Sequence, residues 1–121
     1  MLTLPPTARV YAAAGATDMR KSFDTLAHAV RAVIGEDPLS GHLFVFCNKG
    51  HNRLKILVWD GSGLWIFAKR LERGTFSWPA ADPERKRVEL TATELSLILN
   101  GIDVRDTEQR PWWRRPATGT S

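Results

Sequence analysis

Asp37-Pro38-x-Ser40-Gly41-His42-Leu43-Phe44-Val45-Phe46, then Lys55-x-Leu57-x-Trp59-Asp60-Gly61-x-Gly63, then Lys69-Arg70-Leu71-Glu72-Arg73-Gly74-x-Phe76-x-Trp78-Pro79 form one stretch, residues 37–79, that decides the fold. Asp37-Pro38 with Ser40-Gly41 reads as a turn, and His42 to Cys47 follows as a run of β-favouring residues. Asn48 to Asn52 is polar, holds Gly50 and suits a hairpin loop. From Arg53 to Trp59 the chain alternates, with Leu54, Ile56 and Val58 on one face and Arg53, Lys55, Leu57 and Trp59 on the other. Asp60-Gly61-Ser62-Gly63 turns it again and Leu64 to Leu71 returns. The expectation is a three-stranded antiparallel meander.

Outward from this stretch, Arg9-Val10-Tyr11 is a short strand candidate and Gly15-Ala16 breaks it. Across 17–34, Met19, Phe23, Leu26, Val30 and Val33 recur at helical spacing, which predicts an amphipathic helix capped by Thr17 or Asp18 and ended by Gly35 in the left-handed conformation. Residues 80–87 are polar and follow Pro79, with Pro83 among them, so they read as a connecting loop. Thr91 with Glu94 makes a capping box, Leu90 and Leu95 suit the hydrophobic staple around it, and Leu95, Ile98, Leu99 and Ile102 supply the stripe of a short C-terminal helix closed by Asn100-Gly101. From Arg105 onward periodicity is lost, and Trp112-Trp113-Arg114-Arg115 stands in a polar tail. The predicted organisation is a single α+β domain over 1–105, a small antiparallel meander packed against the 17–34 helix with the second helix covering another edge, and a flexible basic and aromatic tail at 106–121.

A chain of 121 residues suits one domain with a modest core. Apolar residues at 43% and charged residues at 25% are ordinary globular usage, unlike that of disordered or membrane-embedded chains. Pro5 and Pro6 interrupt the apolar start, and no apolar run reaches membrane length, so neither signal nor anchor is expected. Cys47 is the single cysteine; it leaves no internal disulfide and suits a reducing cytoplasm.

The net charge is +4, and residues 49–73 carry an excess equal to all of it, with Lys49, Arg53, Lys55, Lys69, Arg70 and Arg73 against Asp60 and Glu72. A cationic segment suits a polyanion, because neutralised phosphates release counterions; a solvated face that keeps a protein soluble has the same composition. If the turn pairs Asp60 with Leu64, Trp59 faces Trp65 and Lys55 faces Lys69, giving aromatics flanked by cations that repel without an anion. A register one residue off sets Ala68 opposite Lys55 and removes that argument. The alternative for Trp59, Trp65 and Phe67 is plain packing. Arg20 and Lys21 fall in the first turn of the expected helix, against its macrodipole and beside free N–H groups, which suits an anion; Asp18 and Asp24 neutralise them in the bland alternative.

No metal and no cofactor is expected. His42 and Cys47 leave opposite faces of one strand, so they do not converge with His51 on an ion. Asp60 with Glu84-x-Lys86 is the nearest approach to a metal-dependent nuclease signature, but Glu84 and Lys86 fall in a proline-containing loop, and Asp60 before Gly61 reads as a turn residue.

These motifs, with Thr17-Asp18-Met19-Arg20-Lys21-Ser22-Phe23-Asp24 upstream, resemble the small accessory proteins, often called TnpB, of insertion sequences of the sixty-six family, from about Val10 to Asp103. The resemblance implies a part in transposition and brings no molecular activity with it. Joined to the residues, it leads to the expectation of a non-enzymatic accessory factor that binds element DNA, the transposase of the same element, or both. Arg53, Lys55, Lys69, Arg70 and Arg73 would contact phosphates, Trp59 and Trp65 would stack or wedge, and Arg20 and Lys21 would add an anion site. The alternatives are an adaptor that docks the transposase without touching DNA and, behind it, a nuclease using Asp60, Glu84 and Lys86.

Overall fold

The apolar runs Val10–Ala13 (β1) and Leu43–Cys47 (β2) are buried along their whole length, as strands covered on both faces must be. A computed structural model of the protein describes residues 6–79 and 84–100. It adds β3 (Arg53–Trp59), β4 (Leu64–Arg70) and β5 (Arg87–Leu90) to one sheet of spatial order β4-β3-β2-β1-β5. Strands β2, β3 and β4 form the expected antiparallel meander. β1 joins β2 in parallel through the helical segment α1 (Phe23–Ala29), and β5 pairs antiparallel with the far side of β1. With α2 (Ala92–Leu99) this is an α+β fold.

The period of two in the strands divides the core into two layers. Tyr11, Ala13, Phe44, Phe46 and Leu57 face α1 and pack on Leu26, Ala27, Val30 and Ile34. Val10, Ala12, Val45, Leu54, Ile56 and Val58 face the other way and meet Leu95 and Ile98 of α2. The second helix therefore covers the opposite face of the sheet, not an edge. Phe76 and Trp78, from the segment after β4, complete that layer; the Trp78 indole N–H donates to the Ala13 carbonyl at 3.3 Å.

Three local departures from the sequence-based expectations have physical causes. The first helix begins at Phe23, with Ser22 in an extended conformation at its N-cap and its N–H donated to Thr25 Oγ1 at 2.8 Å; Thr17 instead donates its N–H to the Cys47 carbonyl at 2.8 Å. Arg20 and Lys21 thus precede the helix and do not fall in its first turn. The helix then widens into a π turn over Val30–Ile34, closed by Gly35 N–H on the Val30 carbonyl and by Gly35 at φ 76°. Such a turn carries one residue more than an α turn, so Ile34 follows Val30 onto the sheet, and Val33 is left 40% exposed. Finally, Arg87, read as the end of the 80–87 loop, instead opens the strand Arg87–Leu90, because the outer side of β1 offers it a ladder.

The capping box of α2 forms as expected: Glu94 N–H donates to Thr91 Oγ1 at 3.1 Å, and Thr91 N–H donates to the Glu94 carboxylate at 2.8 Å. The tail at 106–121, the boundary at 105 and Gly101 lie outside the described residues.

Candidate nucleic-acid interface

The register of β3 and β4 decides where the charges go. Trp59 pairs with Leu64, Val58 with Trp65, Lys55 with Ala68, Leu54 with Lys69 and Arg53 with Arg70. Trp59 therefore does not face Trp65, nor Lys55 Lys69. Arg53, Lys55, Trp59 and Arg70 lie on the α1 side, whereas Trp65, Phe67 and Lys69 lie on the α2 side. The turn sets this register through Asp60, whose Oδ1 accepts the N–H groups of Ser62 and Gly63 at 2.9 Å each, while Oδ2 accepts the Trp65 indole N–H at 2.6 Å. Gly61 takes φ 102° between them, a conformation that costs a side-chain-bearing residue dearly. Four donors in all, the Ser62 hydroxyl included, hold the Asp60 carboxyl far below the usual carboxylate range, the indole contributing most.

Two of the expected phosphate contacts, Lys55 and Lys69, bond the backbone of other segments. The Lys55 ammonium, half-buried, donates to the Met19 carbonyl at 2.8 Å and the Lys21 carbonyl at 2.7 Å, fastening residues 17–22 to the sheet. The Lys69 ammonium donates to the Leu99 carbonyl at the end of α2. Arg20 forks onto Asp18, with Nη2 2.7 Å from Oδ2 and Nε 3.0 Å from it. This guanidinium, together with the Arg20 N–H, holds the Asp18 carboxyl down to about 2. The pair is what the bland alternative for Arg20 foresaw with Asp18.

Partnered and unpartnered cations alike gather on a groove. Two adjoining hollows of about 400 and 510 Å³ share Met19 and Arg53 as walls. Arg20, Lys49, Arg53, Lys55, Lys69 and Arg70 line them, and Asp18 is the one carboxylate among their lining residues. Arg53 and Arg70 oppose each other directly. Since Leu71 N–H donates to the Asn52 carbonyl at 2.9 Å, the adjoining Arg53–Arg70 pair is the non-hydrogen-bonded kind, in which side chains stand closer. Like charges so placed destabilise a sheet. Arg70 is offset by Glu72, its Nε 3.1 Å from the carboxylate, in a well-exposed pair of small worth. Arg53 and Lys49 have no side-chain partner among the described residues, and the same holds for Arg73 in the turn after β4. Arg53 is positioned by its own backbone, whose N–H donates to Asn48 Oδ1 at 3.0 Å; Asn48 also spans the loop to Asn52 at 2.7 Å. Within that loop His51 sits at φ 56°, a strained choice for a residue with a side chain, held by Phe76 N–H on its carbonyl at 2.6 Å.

Cys47 is buried in the core and its thiol is pushed up to about 12 by that burial, so it behaves as the small hydrophobe expected of it. His42 accepts the Arg9 N–H on Nδ1 at 2.9 Å and meets Tyr11 edge-on.

The family model described as IS66 Orf2 like protein matches residues 8–109. The chain belongs to this family. Its relatives include the uncharacterized proteins y4hO and y4jC of Sinorhizobium fredii (strain NBRC 101917 / NGR234). The first is 40% identical over 119 residues, covering 98% of this chain and all of that protein. The second is 31% identical over 103 residues, covering 85% and 86%. No solved structure matches. The family makes this an accessory protein of an insertion sequence, and among the described residues no helix is long and apolar enough to cross a membrane.

Proposed function

We propose that this insertion-sequence accessory protein binds the DNA of its element, without chemistry of its own, through the cationic groove around Arg53 and Arg70. The observation that carries the reading is the direct pairing of these two arginines in a close cross-strand position, with no side-chain partner for Arg53. A fold that places like charges together gains most when a shared anion offsets them, and two guanidiniums suit the paired oxygens of a phosphodiester. Lys49, which lines the adjoining hollow, extends the positive surface, and Arg73 lies close in sequence; Arg20 lines it too, paired with Asp18. Lys55 and Lys69 serve by positioning the groove's walls. Trp59 lies on the same side of the sheet. A non-enzymatic role fits Asp60, whose carboxylate oxygens are engaged by the turn. The transposase of the same element is the protein partner this reading implies.

The test is fluorescence anisotropy with labelled terminal DNA of the element across a salt series, wild type against the Arg53→Ala, Arg70→Ala double variant. Wild-type affinity should fall steeply with salt, and the variant should lose a slope of about 1, for the one phosphate the two arginines share. An equal slope in both proteins rejects the groove. Binding of the transposase but of no DNA would leave the adaptor role.

A further inference from the structure

The two edges of the sheet differ in chemistry. β5 is four residues long and carries Arg87 and Glu89, the first bonded to Glu36 at 2.6 Å and the second 3.7 Å from Arg9. Short, charged edges resist pairing with another chain. β4 is seven residues long and opens with Leu64-Trp65-Ile66-Phe67, and no described strand lies on its outer side. Trp65 and Phe67 are 46% and 43% exposed, their rings stacked at 5.9 Å and 8°. Nothing in the groove reading uses them.

The ladder with β3 fixes which backbone groups point outward. Asp60 N–H donates to the Gly63 carbonyl and Leu71 N–H to the Asn52 carbonyl, and bonded pairs alternate between these two ends. Trp65, Phe67 and Lys69 therefore turn their backbone groups towards β3, and Leu64, Ile66, Ala68 and Arg70 turn theirs out.

We propose that a second copy of this chain pairs with β4 along this edge, antiparallel, about a twofold axis at Phe67. New ladder bonds form where both partners point outward, which limits symmetric registers to those centred on a residue. The register centred on Phe67 is the one that uses the whole strand. It sets Ile66 against Ala68, Leu64 against Arg70, Trp65 against Lys69, and Phe67 against its own copy in the close, non-bonded position. The apolar half of one strand thus meets the basic half of the other, and no two cations face each other. The lysine stem lies along the indole and the two phenyl rings cover one another, contacts that stabilise cross-strand pairs. This complementarity of the strand with itself is why a second copy, and not a foreign strand, is the occupant. An axis of this kind stands perpendicular to the sheet, so both Arg53–Arg70 grooves come to one side, with the two Arg70 residues about 20 Å apart along the strands.

Sedimentation velocity on the full chain, without DNA, tests the pairing independently of the groove. The expected result is a concentration-dependent shift from one to two chain masses. Ala68→Pro removes an outward N–H and no bond to β3, a position where an edge strand tolerates proline; it should keep the circular dichroism spectrum and stay at one chain mass. Phe67→Cys, in a chain whose own Cys47 is buried, should give a disulfide-linked dimer on mild oxidation, and Trp65→Cys should not. A wild type that stays monomeric at every concentration, leaving the edge to a strand of another protein, would overturn the proposal. So would a folded Ala68→Pro variant that still dimerises, or cross-linking at position 65 as ready as at 67.

Discussion

Lys55 carries the same charge as Arg53 two residues earlier, yet it belongs to the scaffold. Its ammonium completes two hydrogen bonds to the carbonyls of Met19 and Lys21 from a half-buried position, and hydrogen bonds to charged groups are among the stronger ones. Lys55→Met, which keeps the stem, should cost on the order of 2 kcal/mol and lower the melting temperature by several degrees. Arg53→Ala should leave that temperature unchanged or raise it slightly, because it relieves the opposition to Arg70. Thermal melts of the two variants side by side check this, and equal losses would contradict it. Asp60 gives a prediction in pH. Its folded-state pKa lies below the ordinary 3.8, so the stability it contributes is fully present above that value and is lost as pH falls through the lowered one. The indole N–H resonance of Trp65 should stay constant from neutral pH to well into acid and shift only below the ordinary carboxylate range; a shift centred at the ordinary value would mean that the turn bonds do not persist.

The elements differ in how openly the sequence states them. The meander was legible because Asn48–Asn52 and Asp60–Gly63 supply turn residues between β-favouring runs, the middle one alternating, and the capping box announced α2 by its spacing alone. Thr91→Ala removes the acceptor of the Glu94 N–H and should lower stability by about 1 kcal/mol, measurable by urea unfolding; an unchanged midpoint would mean that the helix does not depend on its cap. β5 was not legible. Arg87-Val88-Glu89-Leu90 is too short and too charged to stand out, and only the ladder offered by β1 makes it a strand. The start of α1 was hidden for a similar reason, since the stripe from Met19 continues at helical spacing while Lys55, distant in sequence, fastens residues 17–22 in another conformation. The hairpin register was undetermined by the sequence because β4 alternates Leu64, Ile66 and Ala68 against Trp65, Phe67 and Lys69, two faces of comparable polarity. Asp60 and its bonds to Ser62, Gly63 and Trp65 decide it.

At the scale of the molecule, that register redistributes the charge. The cationic stretch 49–73 and its position in the fold could be read from the sequence, but its division into wall-building lysines and paired arginines could not, since it depends on which residues stand opposite. The groove forms where the 16–20 segment, the 48–53 loop and the ends of β3 and β4 converge, far apart in the chain until the sheet closes. The proposed groove joins stability to binding: Arg53 and Arg70 should weaken the free protein slightly and strengthen it when an anion is bound. Urea unfolding of wild type and of the Arg53→Ala, Arg70→Ala variant, each with and without a saturating short duplex from the element terminus, measures both sides at once. The account predicts a variant at least as stable as wild type without DNA, and a rise in unfolding midpoint with DNA that is large for wild type and small or absent for the variant, as linkage requires of a ligand bound by the folded state. Equal rises in the two proteins would contradict it.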